Sequence, residues 1–402
     1  MSETKNILIS GASIAGPALA HWLRRHGFRP TVVERAPAPR PGGYAVDIRG
    51  AAITVAERMG ILGDIRRTAT GMRGASLISA AGKRIADLDG DAYGMHVEGD
   101  VEIMRGDLSR LLHELTADEI EYLFDDSITG MTQREHGVEV TFERNAPRAF
   151  DLVIGADGLH SNVRGRVFGE ESRFVRHLGH YVAVATVPNH LGLDHWGMLY
   201  RARGKMVNLY SAGRAAEAKA CFLFASPPLT YDRRDLAAQR RIVAEAFAGD
   251  GWAIPRLLEA AGTAGDFYFD TISQIHLDRW SAGRVALLGD AAYGPSLASG
   301  QGTSLALVGA YVLAGELAAA RGDHQLAFAR YQDVLRDFVA KNQKLGRDSV
   351  KHMAPKSAAG AWFQGQLMRM MPHLPGKDAM LRMMIKPIAE AANAVELAEY
   401  RV

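Results

Sequence analysis

Glu34, Asp157 and Asp290 each close a short apolar run, and each belongs with a nearby turn rich in glycine. A carboxylate so placed accepts hydrogen bonds from a ligand's hydroxyl groups. A glycine turn lets a phosphate come close to backbone N–H groups. The chemistry these residue types imply is the holding of a nucleotide-like molecule. Nucleophilic catalysis has no comparable signature, because Ser161 and Ser304 lack a His and Asp set in the sequence around them.

The first turn is Gly11-Ala-Ser-Ile-Ala-Gly16, which follows the apolar run Asn6-Ile-Leu-Ile-Ser10. It opens a helix whose apolar positions include Leu19, Trp22 and Leu23. Gly11 permits the tight turn, and Gly16 permits close approach of helix to strand. Ser13, Ile14 and Ala15 then offer backbone N–H groups to a pyrophosphate at the helix start. Ser13 stands where such turns usually carry a middle glycine. The next run, Thr31-Val-Val, ends in Glu34 with Arg35 after it. Glu34 lies about 20 residues past the turn, where an acid accepts the ribose hydroxyls of an adenosine. This unit alone leaves nicotinamide and flavin dinucleotides undivided.

The second and third turns divide them. Asp151-Leu-Val-Ile-Gly-Ala-Asp-Gly158 is followed by Ser161 and Arg164. Gly283-Arg-Val-Ala-Leu-Leu-Gly-Asp290 is followed by Gly300-Gln301-Gly302, which open a helix expected over 303–317. Asp290 can accept a ribityl hydroxyl. The helix N-terminus after Gly302 would face the pyrimidine edge of a flavin and stabilise negative charge there. A nicotinamide dehydrogenase needs no second and third strand end of this kind, so the set reads as a frame for FAD.

The elements that carry these turns give an α/β chain. We expect a Rossmann-like FAD-binding domain with an inserted antiparallel-sheet substrate domain and a C-terminal helical segment. Residues 1–72, 98–171 and 271–340 form the cofactor domain, which is discontinuous. Residues 73–97 and 172–270 form the substrate domain, where runs at 181–187, 198–200, 206–210 and 221–225 read as antiparallel strands. A helix is expected over 235–248. The segment 341–402 is helical in composition and rich in methionine. Its thioethers could line an apolar channel or pack onto the cofactor domain.

The three turns in this order resemble those of the single-component, class A FAD-dependent aromatic hydroxylases related to para-hydroxybenzoate hydroxylase. The resemblance covers about residues 1–340. Glu102-Ile-Met-Arg-Gly-Asp-Leu108 matches the family's arginine-x-x-leucine segment, which implies that Arg105 reaches the ribityl or phosphate region. Pro41-Gly-Gly-Tyr-Ala-Val-Asp-Ile-Arg-Gly50 is similar to a segment of the tetracycline-inactivating monooxygenases. That likeness implies Asp47 near the flavin and Arg40 near NADPH or NADH. Tyr293 departs from the family, which more often has histidine there, and would alter the surroundings of the flavin ring. The implied activity is an NAD(P)H-consuming monooxygenase. It would hydroxylate an aromatic or polycyclic molecule with dioxygen through a flavin C4a-hydroperoxide. Substrate contacts are expected from Tyr44, Tyr200 and Tyr210. Oxidative inactivation of a tetracycline-like drug, Baeyer–Villiger insertion, and a flavin reductase or oxidase stay open as alternatives.

Composition fits and excludes. A net charge of +2 over 402 residues leaves no basic footprint for nucleic acid. One cysteine, Cys221, excludes an internal disulfide and a cysteine metal cluster, and its apolar surroundings read as a buried thiol. The histidines show no metal spacing, and His177 and His180 read as surface residues. Arg201, Arg203, Arg233 and Arg234 read as solvated loop charges. No apolar run reaches the roughly 18 residues of a membrane span. The N-terminus enters the first strand within a few residues, so a cytoplasmic setting is expected. Gly251-Trp-Ala-Ile-Pro255 resembles half of a flavin-halogenase motif, but its first tryptophan would fall on Asp250. The sequence does not set an oligomeric state.

Overall fold

The computed structural model describes residues 5–39, 42–213, 216–370 and 376–400. Arg40 lies outside these described residues. The first apolar run forms the strand Asn6–Ser10 at the centre of a six-stranded sheet. The sheet order is Ser281–Ala282, Val285–Leu287, Leu152–Gly155, Asn6–Ser10, Arg29–Glu34, Glu121–Phe124. Apart from the edge pair at 281–287, the strands run parallel. Their buried Ile, Leu and Val runs suit a sheet covered on both faces. All three motif turns therefore leave the same end of adjacent strands. That end is where open α/β sheets bind ligands.

Helix Ala15–Arg25 covers one face and packs on helix Gly302–Ala319. The latter is apolar on every side because every side is used. It lies among Ala15–Arg25, Ala51–Arg58 and the long helix His324–Met353. It has the length and apolarity to cross a membrane, yet it sits inside the protein as a core helix.

A seven-stranded sheet stands against this unit. Its order is Tyr268–Ile275, Val175–Pro188, Glu217–Ala225, Lys205–Ser211, Trp196–Ala202, Gly74–Ile78, Arg84–Asp89. Its first strand runs to Ile275, past residue 270 where the pattern was expected to change. Helices Leu236–Ala246 and Ile254–Thr263 cover one face with Phe222, Phe247 and Leu257. Asp235 caps the first of these helices by accepting from Ala238 N at 2.9 Å. The other face looks toward the cofactor unit.

His324–Met353 joins the two. Gln343 Nε2 donates to Ile275 O at 2.8 Å, and Gln274 Nε2 donates to Gln343 O at 2.7 Å and to Pro295 O at 2.9 Å. Arg201 is no loop charge. It lies in a strand and donates to His352 O at 2.8 Å, near the negative end of that helix.

Candidate active site

Gly11 has φ +111°, and a Cβ there would lie 2.5 Å from Ala156 O. Only glycine lets the first and second motifs touch in this way. Glu34 closes the next strand. Its Oε2 accepts from Ala12 N and its Oε1 from Ala36 N, both at 2.9 Å. Each carboxylate oxygen can accept a further bond, as ribose hydroxyls would require. Arg35 beside it is exposed. Ser13 carries a second function that a glycine could not: its Oγ accepts from Arg105 Nη1 at 2.9 Å. The guanidinium is thereby fixed beside the helix start. The Gly42–Gly43 turn covers it, with a Cβ on Gly43 falling 2.8 Å from Arg105 Nε.

Asp157 is spent on the second motif itself. It accepts from Val163 N at 3.0 Å and from the Ser161 hydroxyl, and so shapes the start of helix Asn162–Val167. Arg164, in that helix, is fully buried and donates to Ala291 O at 2.9 Å and Leu159 O at 2.6 Å. The second motif thus holds the third in place. Asp290 closes the third motif and opens helix Asp290–Tyr293, and no hydrogen bond reaches its carboxylate among the described residues. Asp290 is open to the cleft, and the protein packed around it together with the Asp270 carboxylate raises its pKa, against the pull of Arg164.

The turn from 294 to 302 is strained and open. Ser296 has φ +83°, a cost of about 1–3 kcal/mol for a residue with a Cβ. Gly300 is exposed at the mouth of the turn. Both amide atoms of Gln301 are buried without a partner among the described residues. Gly302 starts the buried helix, with free N–H groups that need an outside acceptor. A group with both a hydrogen-bonding edge and developing negative charge fits here, as a flavin pyrimidine does.

Asp47 faces this turn: a Cβ on Gly300 would lie 3.6 Å from its Oδ2. Arg49 Nη2 donates to Asp47 Oδ2 at 2.8 Å, and His96 Nε2 lies 2.9 Å from Oδ1. Burial raises the Asp47 pKa, but His96 and Arg49 outweigh it and the net shift is downward. His96 lines a cavity of about 340 Å³ with Asp100, Glu102 and Thr70. Arg49 belongs to the 41–50 segment that the sequence singles out, whereas no sequence signal marked His96 as part of the site.

The second sheet supplies the opposite wall. Gly197 pairs with Tyr210, and Tyr200 with Val207. Side chains alternate along strands, so the two tyrosines point to opposite faces. Tyr210 shares its face with Asn208, Lys219, Cys221 and Val184. Its hydroxyl accepts from Ala45 N at 2.8 Å, which ties the sheet to the cofactor unit. Tyr44 packs beside Cys221, Val184 and Leu297. Burial, with Asp290 adding and Arg105 opposing, pushes the Tyr44 phenol up to about 12. Tyr93 donates to Asn208 Oδ1 at 2.9 Å.

Other expected residues lie elsewhere. Tyr200 is fully buried on the far face, donates to Asp250 at 2.9 Å and stacks on Trp252. That packing keeps it from a substrate. Tyr293 is buried against Trp280 and bonded to the Tyr331 hydroxyl at 2.9 Å, so its side chain belongs to the core. Cys221 is half-buried on the cleft-side face of the sheet. His177 is also half-buried, between Thr271 and Ser226 O.

Residues 4–327 match the family model described as FAD binding domain. The chain belongs to that family. It is 41% identical over 402 residues, the full length of both, to a flavin-dependent monooxygenase from an unknown prokaryotic organism. It is 49% identical over 353 residues to an uncharacterized protein of Mycobacterium tuberculosis, covering 87% of this chain and 95% of that one. Its fold is similar to that of the tetracycline destructase Tet(55), with a TM-score of 0.85, 40% identity and 99% of both chains covered. These relations make the chain an FAD-dependent monooxygenase of the aromatic-hydroxylase type.

Proposed function

We propose that this enzyme hydroxylates an aromatic or polycyclic, polyketide-like small molecule, using NADPH or NADH and dioxygen. The observation that supports it is one wall facing another. A sheet face carries the neutral polar and apolar side chains Tyr210, Asn208, Cys221 and Val184, and it packs toward the turn after Asp290, where Leu297 shares a cluster with Val184, Cys221 and Tyr44.

The residues fit FAD, with Glu34 at the adenosine ribose, Arg105 and the 11–16 turn at the pyrophosphate, and Asp290 at the ribityl chain. FAD supplies electron transfer from the nicotinamide and the activation of dioxygen. The chain's own residues bind, orient and exclude water. Helix Gly302–Ala319 presents its N-terminus to negative charge on the cofactor. Tyr44 stays protonated near neutral pH, because its pKa is pushed up to about 12. It can therefore donate a hydrogen bond to a substrate oxygen, while Tyr210 is committed to Ala45 N. Lys219 is paired with Asp266 at 3.1 Å, so the wall presents its cation already neutralised. A flat substrate with hydroxyl or carbonyl groups suits this wall better than a small aromatic acid.

Oxidative inactivation of a tetracycline-like molecule is a second reading. The 40% identity to Tet(55) over 99% of both chains favours it. A panel of phenols, aromatic acids, quinones and polycyclic polyketides tests both readings. The expected result is faster NADPH oxidation and a product heavier by one oxygen with the polycycles. Stimulation by small aromatic acids alone would overturn the substrate assignment.

A further inference from the structure

Helix Ala358–Met370 packs on the second sheet through Gly365, where a Cβ would lie 3.2 Å from Ile85 Cδ1. At 3.6 residues per turn, Phe363, Leu367 and Met370 fall on the opposite side. They are 64%, 41% and 57% exposed. Trp362 on the flank is 66% exposed. Met383 and Met384, on the next helix Lys377–Ala392, are also exposed. Of the 14 exposed large apolar side chains among the described residues, six thus lie between positions 362 and 384. Four of them, Trp362, Phe363, Leu367 and Met370, crowd the outer side and flank of the single helix Ala358–Met370, and an exposed apolar helix face of this kind marks an interaction surface.

Charge says what meets it. Residues 351–392, which take in both helices, hold six basic residues, Lys351, Lys356, Arg369, Lys377, Arg382 and Lys386, against two acidic residues, Asp378 and Glu390. Their balance is +4, while the whole chain stands at +2. Lys351 and Lys386 also pair with Asp348 and Glu390 at the margins. A two-fold contact with a second copy would set the same basic patch against itself. An anionic lipid surface answers both features. Aromatic and apolar side chains enter the headgroup boundary, and Lys and Arg meet the acidic headgroups. The helices have 13 and 16 residues, short of the roughly 20 needed to span a bilayer. We propose that the helices Ala358–Met370 and Lys377–Ala392 dock this enzyme onto an anionic membrane surface. The docked helix lies against strands Gly74–Ile78 and Arg84–Asp89, and the former pairs with Trp196–Ala202 of the cleft wall. A lipid-dissolved substrate would therefore be delivered beside the site.

Co-sedimentation of the FAD-loaded full chain with vesicles tests this. One set is phosphatidylcholine alone, and the other is equal parts phosphatidylcholine and phosphatidylglycerol. Binding is expected only to the mixed vesicles. It should be lost at 1 M salt, where charge interactions reach only about 3 Å. The pairs Phe363→Ser with Leu367→Ser, and Arg369→Glu with Arg382→Glu, should each weaken partitioning by about tenfold or more while retaining flavin. Arg336→Glu, exposed on another face, should bind as wild type. No binding to mixed vesicles, or binding untouched by both pairs, overturns the proposal. So does light scattering that shows a dimer dissolved by the Phe363 and Leu367 changes.

Discussion

Removing the Asp290 carboxylate takes away an acceptor at the turn where helix Gly302–Ala319 meets the cleft. The bound cofactor would then lose a hydrogen bond worth about 1–3 kcal/mol. FAD affinity of Asp290→Ala should fall by about one to two decades, measured by flavin fluorescence titration. Unchanged affinity in a folded variant would count against the third motif. The two tyrosines make a sharper pair. Tyr210→Phe leaves Ala45 N without its acceptor on the cleft side, so it should raise the substrate KM. Tyr200→Phe breaks the bond to Asp250 inside the core, so it should lower the melting temperature and leave KM alone. Steady-state kinetics and thermal melts of both variants separate the faces. Arg40→Ala is expected to raise the apparent KM for NADPH more than it weakens FAD, because a guanidinium can pair with a transient phosphate. Stopped-flow reduction at limiting NADPH checks it, and a wild-type rate would make Arg40 a bystander.

Among the elements, the second motif loop is pinned to the second sheet by His160. Its Nε2 lies 3.0 Å from Asp270 Oδ1, and its Nδ1 lies 3.1 Å from Glu171 Oε1. Burial lowers the His160 pKa, but these two carboxylates outweigh it and the net shift is upward. The folded pKa exceeds the unfolded one. The contact is therefore at full strength below the ordinary value of 6.5, and is lost as pH rises through the raised value. Melting temperature should fall across that window in wild type, and His160→Gln should flatten that fall. An unchanged pH profile in the variant would show that the pin does not matter. The three glycine turns and their strands were legible in the sequence because each is local: an apolar run, a glycine, a carboxylate. His160 with Asp270, Arg164 with Ala291, and Arg49 with Asp100 were not, since their partners lie 110, 127 and 51 residues apart. Tyr200 and Tyr210 could not be told apart either. Which face each takes depends on the register of the hairpin through Gly204, and a one-residue slip would put both on the same face.

At the scale of the whole molecule, two sheets and one long helix divide the labour. The parallel sheet brings three motif turns to one end. The second sheet, antiparallel except where Gly74–Ile78 pairs parallel with Trp196–Ala202, provides a wall without an unpaired cation among Tyr210, Asn208, Cys221 and Lys219, the last held by Asp266. Helix His324–Met353 locks the two units through Gln274, Gln343 and Arg201. The alternation of helix-rich and strand-rich segments made the two units readable. The locking helix was not, because its bonds are amide and guanidinium contacts to distant backbone carbonyls, which leave no periodic trace. The proposed reaction is oxygen transfer from dioxygen to an organic substrate at this cleft. Labelled dioxygen, with mass spectrometry of the product formed from a polycyclic phenol, measures it directly. One labelled oxygen atom is expected in the product when FAD-loaded enzyme and NADPH are both present. Label found only in water or hydrogen peroxide, across the whole substrate panel, would contradict it.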